Sequence, residues 1–240
     1  MCRIVAYIGG QNATPIIVNG LKKLEYRGYD SAGVAVLQNG KIEIRRDAGK
    51  IDHLETLITQ EPLEGNLGIG HTRWATHGAP NMQNAHPHIS SNGEIVIVHN
   101  GIVENYLSLR EELSAEGAVF RSETDTETIV LLIENYYAVT QDLLRAVQET
   151  LKRIKGAHGI VVLSSREPDK LVAARLGNAG GIAIGRGNGE MFIASDLPAI
   201  VEHTHDITFL DSEQIAVVQK DGLTLQTLAG TPIEPVWNHI

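Results

Sequence analysis

The chain begins Met1-Cys2-Arg3-Ile4-Val5-Ala6-Tyr7-Ile8, and this stretch decides where the first strand of the fold runs. Apolar residues, β-branched or aromatic in several places, follow Arg3 without a break, which predicts a buried strand over residues 3–8. No basic region stands ahead of a long apolar segment, so we do not expect a secretory signal here. The only cysteine of the chain, Cys2, is therefore expected at the head of a buried strand.

Outward from this strand, strand patterns and helix patterns fall into separate blocks. The pair Asn39-Gly40 is suited to the positive φ angles of a tight turn and predicts a hairpin. Asn105 and Asp125 each precede a helical pattern and are candidate N-caps. This arrangement predicts a layered α+β domain, two sheets with helices packed outside them. The predicted strands are 3–8, 31–37, 41–46, 67–71, 95–99, 158–164, 170–175, 181–185, 191–195, 214–219 and 223–228, and the predicted helices are 13–24, 51–58, 106–116, 126–137 and 143–154.

Composition narrows the possible functions. The 240 residues are 42% hydrophobic, which is enough apolar material for a core. Their formal charge is −9, and a negative surface repels the phosphates of nucleic acid. No apolar run is long enough to span a membrane, so we expect no membrane partner and a cytoplasmic location. One cysteine excludes an internal disulfide framework. We expect a domain over residues 1–232, with 233–240 as the start of a linker.

Cys2 has two chemical properties that suit a nucleophile. Removal of Met1 is permitted before a small residue and leaves a thiol and an α-amine on the same residue. The amine can then act as the base for its own side chain, because the unperturbed pKa values, about 8.5 and roughly 7.7–8.0, are close. On position alone, however, a cysteine that packs as a small apolar residue is the commoner outcome.

Three polar, glycine-rich segments interrupt the apolar pattern: residues 26–33, 71–78 and 99–105. The second continues to residue 84 and is long enough to form a lid. Asn100-Gly101 could be a simple turn. Alternatively, an Asn amide and a Gly backbone N–H can point at one oxygen, the donor pair that holds the oxyanion of a tetrahedral intermediate.

Charged and imidazole side chains in these segments have open assignments. Arg73 is either a solvated loop residue or a bidentate partner for a carboxylate. Asp125 is either a helix cap or a partner for an ammonium group. Together they could bind both ends of an α-amino acid. Five of the ten histidines, His71, His77, His86, His88 and His99, fall close together, and a metal site there is a weaker alternative to structural roles.

Taken together, these segments resemble the glutaminase domain of the glutamine–fructose-6-phosphate aminotransferases (glucosamine-6-phosphate synthases). The resemblance covers essentially the whole chain. An N-terminal Cys is followed in order by four motifs: Tyr-Arg-Gly-Tyr-Asp-Ser-Ala-Gly from residue 26, His-Thr-Arg-Trp-Ala-Thr-His-Gly from 71, His-Asn-Gly-Ile from 99 and Ser-Glu-Thr-Asp-Thr-Glu from 122.

The resemblance implies an N-terminal-nucleophile hydrolase αββα sandwich, two antiparallel sheets between helical layers. It implies that Cys2 attacks the side-chain amide of L-glutamine and that ammonia leaves. In the complete family enzyme a sugar-isomerase part passes this ammonia to fructose 6-phosphate in hexosamine biosynthesis, and the enzyme is homo-oligomeric. No cofactor or metal is implied. The implied site is Asn100 and Gly101 as the oxyanion hole, Arg73, Trp74, Thr76, His77 and Asp125 around the substrate, and Arg27 and His86 in support.

The sequence departs from the family beside the nucleophile. The usual start resembles Cys-Gly-Ile-Val-Gly, whereas this chain has Arg3 and Ala6 at the glycine positions. Arg3 could strain the backbone, obstruct the pocket or lower the thiol pKa. Two alternatives therefore stay open: the glutaminase of another amidotransferase, such as the phosphoribosyl-pyrophosphate-dependent kind, and an impaired regulatory module on the same scaffold.

Overall fold

The computed structural model describes residues 2–75 and 78–240, without the side chain of Arg27. The first sheet has eight strands in the order β15-β11-β9-β10-β1-β4-β2-β3, every neighbouring pair antiparallel. Its strands are β1 (Arg3–Ile8), β2 (Ser31–Gln38), β3 (Lys41–Ala48), β4 (Leu67–Arg73), β9 (Ala183–Arg186), β10 (Met191–Ala194), β11 (Asp206–Phe209) and β15 (Asn238–His239).

The second sheet has seven antiparallel strands in the order β14-β13-β12-β8-β7-β6-β5. Its strands are β5 (His88–Ile89), β6 (Ile95–Gly101), β7 (His158–Ser164), β8 (Leu171–Leu176), β12 (Gln214–Gln219), β13 (Gly222–Thr227) and β14 (Pro232–Ile233). The described residues also form five α-helices: α1 (Ala13–Lys23), α2 (Ile51–Gln60), α3 (Tyr106–Ala115), α4 (Thr126–Thr140) and α5 (Leu143–Arg153).

Three apolar clusters make four layers out of these elements. The middle cluster lies between the sheets and includes Ile4 and Ala6 of β1 with Val96 and Val98 of β6. A second cluster packs α1 and α2 on the outer face of the first sheet, and a third packs α3, α4 and α5 on the outer face of the second. Both faces of each sheet are covered, so the central strands are apolar on both sides. The predicted αββα sandwich is confirmed.

Local chemistry explains several element boundaries. Asn39 and Gly40 have φ angles of 52° and 76°, as a tight hairpin turn requires, and they join β2 to β3 as predicted. The side chain of Asn12 accepts a hydrogen bond from the N–H of Thr14 at 3.2 Å and caps α1. Within the described part of the chain, no helix is both long and apolar enough to cross a membrane.

Two predicted caps are wrong, because both side chains bind distant backbone instead. Asn105 makes no cap bond to α3; its amide donates to the carbonyl of Arg153 and accepts from the N–H of Lys155. Asp125 makes no cap bond to α4 and accepts from the N–H of Val103. A short polar side chain has the same local sequence signature in either role, so tertiary partners decided the outcome.

The short edge strands were not predicted from the sequence. β11 carries one fully apolar inward residue, Ile207, and β14 and β15 are two residues each, too short for an alternating pattern. β14 and β15 lie within residues 232–240 and pair with β13 and β11, respectively. This segment is therefore attached to both sheets, and a linker beginning at residue 233 stays a prediction.

Candidate active site

Three strand ends meet at one edge of the sandwich and surround a cavity. Cys2 precedes β1, Trp74 follows β4, and Asn100 and Gly101 end β6. These residues line a cavity of about 380 Å³, which is completed by Ile102, Glu104, Ala157 and Ala179. The first sheet thus supplies the thiol and the second sheet supplies the amide and the glycine.

The thiol of Cys2 is half-buried and touches the backbone of Trp74. The Trp74 N–H donates to Cys2 Sγ at 3.2 Å, and Sγ lies 3.5 Å from the Trp74 carbonyl oxygen. Burial raises the pKa of the Cys2 thiol, while the Trp74 hydrogen bond and the charge of Arg73 act in the opposite direction. A base beside the sulfur is therefore needed to generate the thiolate near neutral pH.

The side chain of Trp74 extends from the cavity and is 51% exposed. Its ring lies over Gly28, where an added Cβ would come within 2.8 Å of a ring carbon. Gly28 also has a φ of 71°, which disfavours other residues. The first glycine-rich segment therefore supplies a bare backbone against which the Trp74 ring packs.

Arg73 is buried at the end of β4 and holds the loop that follows. Its guanidinium donates to the carbonyl oxygens of Gly78 and Ala79 at 3.1 and 3.2 Å and lies 3.6 Å from Asp30 Oδ1. Asp30 in turn accepts from the N–H of Ala75. These bonds place the charge of Arg73 behind the cavity wall, close enough to influence the Cys2 thiol.

The far end of this loop is fixed by Glu123. Its carboxylate accepts from the Ala79 N–H at 3.2 Å and from the Asn84 amide at 2.9 Å. These donors hold the pKa of Glu123 below its usual value. The loop is thus attached at both ends to the helical side of the second sheet and to β4.

Asn100 and Gly101 form the opposite wall of the cavity. Asn100 is almost fully buried, and its Oδ1 lies 3.1 Å from His71 Nε2. Gly101 has a φ of 142°, and an added Cβ would come within 2.2 Å of the Ala157 carbonyl oxygen. Only glycine fits there, so its backbone passes close to the neighbouring strand.

Asp125 is buried beside the same wall. Its Oδ2 accepts from the Val103 N–H at 2.7 Å, which ties the residues after Gly101 to the start of α4. Neither Asp125 nor Arg73 is among the residues that line the cavity. Their predicted contacts with the two charged ends of glutamine stay predictions.

Arg3 points away from the cavity. It shares a face of β1 with Val5 and Tyr7, which pack under α1, while Ile4 and Ala6 face the second sheet. Its guanidinium is 3.6 Å from Asp196 Oδ2, and its backbone is not among those with positive φ. The concern that Arg3 obstructs the pocket or strains the backbone therefore has no support in the geometry.

Some predicted residues fall outside what the structure describes, and some cavity residues were missed. Thr76 and His77 lie outside the described residues, as does the side chain of Arg27. Glu104 and Ala179 line the cavity without having been predicted. Ala179 lies in a glycine-rich turn after β8, and only the fold brings that turn to the site.

Four of the clustered histidines, His71, His86, His88 and His99, are buried and hydrogen-bonded. In the described residues, no group of three or more His, Cys, Asp and Glu side chains is arranged to hold a metal ion. Burial lowers the pKa of His71 to about 3 and lowers the pKa of His86, His88 and His99 well below the usual histidine value. The rings are therefore neutral at physiological pH.

Two solved structures share the fold of this chain. A glutamine phosphoribosylpyrophosphate amidotransferase from B. subtilis, complexed with ADP and GMP, superposes with a TM-score of 0.82 over 95% of this chain and 49% of that one, at 23% identity. A glutamine aminotransferase class-II domain protein from Silicibacter pomeroyi superposes with a TM-score of 0.62 at 15% identity, over 94% and 99% of the two chains. At these identities the likeness concerns the fold, that of the N-terminal-nucleophile hydrolases.

Sequence comparison gives the family within this class. A family model described as "Glutamine amidotransferase domain" matches residues 52–228, and the chain belongs to that family. Two curated relatives are glutamine–fructose-6-phosphate aminotransferases (isomerizing). The protein from Caldanaerobacter subterraneus is 49% identical over 97% of this chain and 38% of its own length, and that from Pyrococcus horikoshii is 49% identical over 95% and 38%.

This chain therefore resembles the glutaminase domain of the sugar aminotransferases and spans less than two fifths of their length. The predicted resemblance is confirmed. The phosphoribosyl-pyrophosphate-dependent alternative is not favoured, because that likeness is carried at 23% identity against 49% for the sugar enzymes.

Proposed function

We propose that this chain hydrolyses the side-chain amide of L-glutamine to glutamate and ammonia, with Cys2 as the nucleophile. The observation that carries the proposal is that Cys2, Asn100 and Gly101, which come from opposite sheets, line one cavity. A sulfur nucleophile facing an amide donor and a glycine backbone is the constellation that acyl transfer requires.

The reaction needs the α-amine of Cys2, which removal of Met1 sets free. The amine takes the thiol proton, and the thiolate attacks the side-chain carbonyl carbon of glutamine. The negative charge that develops on the carbonyl oxygen is held by the Asn100 amide and the Gly101 N–H. The intermediate collapses as the protonated amine returns its proton to the departing ammonia, and water then cleaves the γ-glutamyl thioester.

Arg73 and Asp125 are proposed to recognise the α-carboxylate and the α-amine of the substrate. Arg73 carries the right charge next to the cavity, and its present partners include two loop carbonyls that a carboxylate could replace. One carboxylate oxygen of Asp125, Oδ2, accepts a hydrogen bond from the Val103 N–H. Trp74, Thr76 and His77 are proposed to shape the pocket around the substrate, with Arg27 and His86 in support.

Glu104 offers a direct control for the role of Asp125, because both are carboxylates near the same wall. Asp125→Asn should raise the KM for glutamine at least tenfold, whereas Glu104→Gln should leave it within about threefold. A larger effect of Glu104→Gln would assign the ammonium contact to Glu104 instead.

Glutamate release tests the proposed reaction. The purified chain, shown by intact mass to lack Met1, should release glutamate from glutamine, and Cys2→Ala should reduce the rate on the order of 10⁴-fold or more. Circular dichroism of both proteins controls for folding. Glutamate release that persists in Cys2→Ala would remove Cys2 from the mechanism, and no release by the processed chain would favour the regulatory module.

The wider function of the complete protein is proposed from its relatives. We infer that the ammonia serves synthesis of glucosamine 6-phosphate from fructose 6-phosphate by a sugar-isomerase part, in a homo-oligomeric enzyme of the cytoplasm. Residues 1–232 are proposed as the amidotransferase domain and 233–240 as the start of the linker. This assignment is tested by purifying the longer protein and supplying it with fructose 6-phosphate. It should make glucosamine 6-phosphate only when glutamine or ammonia is also present.

A further inference from the structure

The amide of Asn100 can stabilise an oxyanion in only one of its two orientations. Nδ2 carries two N–H donors, whereas Oδ1 has only lone pairs and would repel a negative oxygen. The two orientations have nearly the same shape, so packing alone distinguishes them poorly. A site that relies on Asn100 therefore needs a neighbour that fixes which atom faces the cavity.

The ring of His71 provides this selection through a single nitrogen. His71 Nε2 lies 3.1 Å from the His99 carbonyl oxygen and 3.1 Å from Asn100 Oδ1. A carbonyl oxygen only accepts, so Nε2 must carry the proton. The Asn100 atom that faces this N–H must then be the oxygen, which turns Nδ2 towards the turn at Gly180.

His71 is held in this tautomer because its other nitrogen has nothing to bind. The ring is fully buried, and Nδ1 has no hydrogen-bond partner among the described residues. A second proton on Nδ1 would be a buried, unpartnered donor on a charged ring, which is costly. The neutral ring with its proton on Nε2 is the favoured form.

The plane of the ring is set by stacking on His86, with ring centroids 4.1 Å apart. His86 Nε2 contacts Thr126 Oγ1 at 3.1 Å, and the same hydroxyl contacts His99 Nδ1 at 2.9 Å. His86 is thus fixed to the helix α4, and through Thr126 to the strand that carries Asn100.

The far end of this array determines its protons. His158 Nε2 lies 3.2 Å from the Lys155 carbonyl oxygen, so it donates, and the Nδ1 of the neutral ring accepts from His99 Nε2 at 3.0 Å. His99 Nδ1 is then bare and accepts from the Thr126 hydroxyl. Because that hydroxyl directs its hydrogen at His99, its lone pairs accept a hydrogen bond from His86 Nε2. The Lys155 carbonyl thus fixes the tautomer of His158, which fixes that of His99 and, through Thr126, that of His86.

We propose that His71 is a positioning residue, whose Nε2–H fixes the Asn100 amide so that its donor faces the reacting oxygen. The hydrogen bond also joins β4 of the first sheet to β6 of the second. It therefore connects the half of the site that carries the nucleophile to the half that carries the oxyanion donors. This inference rests on the proposed glutaminase function and adds a residue that does not itself line the cavity.

Two substitutions separate this role from simple packing. His71→Leu fills a similar volume without a donor, and His71→Gln can place its amide nitrogen where Nε2 stands. We expect His71→Leu to lower kcat roughly 100-fold with little change in the KM for glutamine, approaching the loss of an oxyanion donor, and His71→Gln to recover at least tenfold of that loss. Ile69→Val, two residues earlier on β4 and in the same inter-sheet core, is the packing control and should keep kcat within about twofold.

A double-mutant cycle with Asn100→Ala gives the decisive comparison. If His71 acts through Asn100, His71→Leu should cost less than about threefold once Asn100 is already Ala. Equal losses in the two backgrounds would overturn the proposal, as would a kcat for His71→Leu within about threefold of the unsubstituted chain. Because all rates are compared with that chain, a chain that releases no glutamate at all refutes the proposed function separately.

The tautomer can be read without activity or substitution. Nitrogen-15 NMR of the histidine rings at pH 7 should show His71 neutral and protonated on Nε2. This result would stand if His71→Leu failed to fold. A ring protonated on Nδ1, or a charged ring, would overturn the proposal whether or not the chain hydrolyses glutamine.

Discussion

The two sheets build their halves of the cavity in different ways. The half from the first sheet holds the Cys2 thiol through the backbone N–H and carbonyl of Trp74, whose side chain is 51% exposed. The half from the second sheet holds Asn100 through His71 and a buried array of neutral rings, where His71 is 0% and His99 is 2% exposed. One half is open to solvent and close to the loop, and the other is enclosed.

This difference corresponds to two chemical tasks. A substrate must enter and leave beside the nucleophile, so few contacts there favour access. Oxyanion donors lower a barrier only when they are already oriented, because reorientation during the reaction would consume the gain. Outside the nucleophile Cys2 and the proposed glutamine ligands Arg73 and Asp125, the comparison predicts that changes in the enclosed half act on kcat and stability. Changes in the open half should act on KM.

The largest expected effect is loss of stability in acid, and it belongs to the enclosed half. The folded state keeps His71, His86, His88 and His99 neutral through burial, which lowers each pKa. In the unfolded chain these rings take up protons below pH ~6.5. The stability that the neutral rings contribute is therefore fully present above that pH and is lost as the pH falls. Four rings give roughly 5 kcal/mol per pH unit, so by pH 5 the loss reaches about 8 kcal/mol, within the range of a typical domain stability of about 5–15 kcal/mol.

Urea unfolding at pH 7, 6 and 5 measures this slope. His99→Gln, which removes one titrating ring, should make the slope shallower by about 1.4 kcal/mol per pH unit below pH 6. A free energy of unfolding that is unchanged between pH 7 and pH 5 would show that the rings are not the neutral, enclosed array described.

The next effect is on the chemical step. Asn100→Ala removes one oxyanion donor and should lower kcat by about 10²–10³-fold, with the KM for glutamine nearly unchanged. Asn100→Asp has the same shape but no N–H, and it should lose at least as much. If either variant raised KM while keeping kcat, Asn100 would be a binding residue rather than an oxyanion donor.

A smaller effect is expected in the open half. Trp74→Ala removes the exposed ring but keeps the N–H that donates to Cys2, so it should raise the KM for glutamine roughly fivefold, about 1 kcal/mol, with kcat within about threefold. Trp237→Ala, which removes a ring packed on Arg186, is the matched control and should change neither constant. A fall in kcat larger than the rise in KM would show that the Trp74 side chain acts on the chemical step rather than on glutamine binding.

The smallest effect is expected for Arg3→Gly, although Arg3 adjoins the nucleophile in sequence. Its side chain lies on the outer face of β1 with Asp196, so glutamate release should stay within about twofold of the original rate. A sharp increase in rate would show that Arg3 impairs the thiol across the sheet.

The sequence predicted the central strands, the helices and the hairpin, because their apolar patterns are long and Asn39-Gly40 has a local conformational requirement. It did not predict the hydrogen-bond partners of Asn105, Asp125 or His71, since these partners are 22 to 50 residues away in the chain. Arg3 could not be assigned to a face, because β1 is apolar on both sides and alternation carries no information there.

The central claim, that Cys2 is the nucleophile of a glutaminase, is tested most directly by labelling. Cys2 is the single cysteine of the chain, so a glutamine-mimicking electrophile should add one label. Intact mass should show the loss of Met1, and peptide mapping should place the label on the N-terminal Cys2, with glutamine protecting it in proportion to its concentration. A processed chain that takes no label at Cys2, or a label that glutamine does not prevent, would contradict the account.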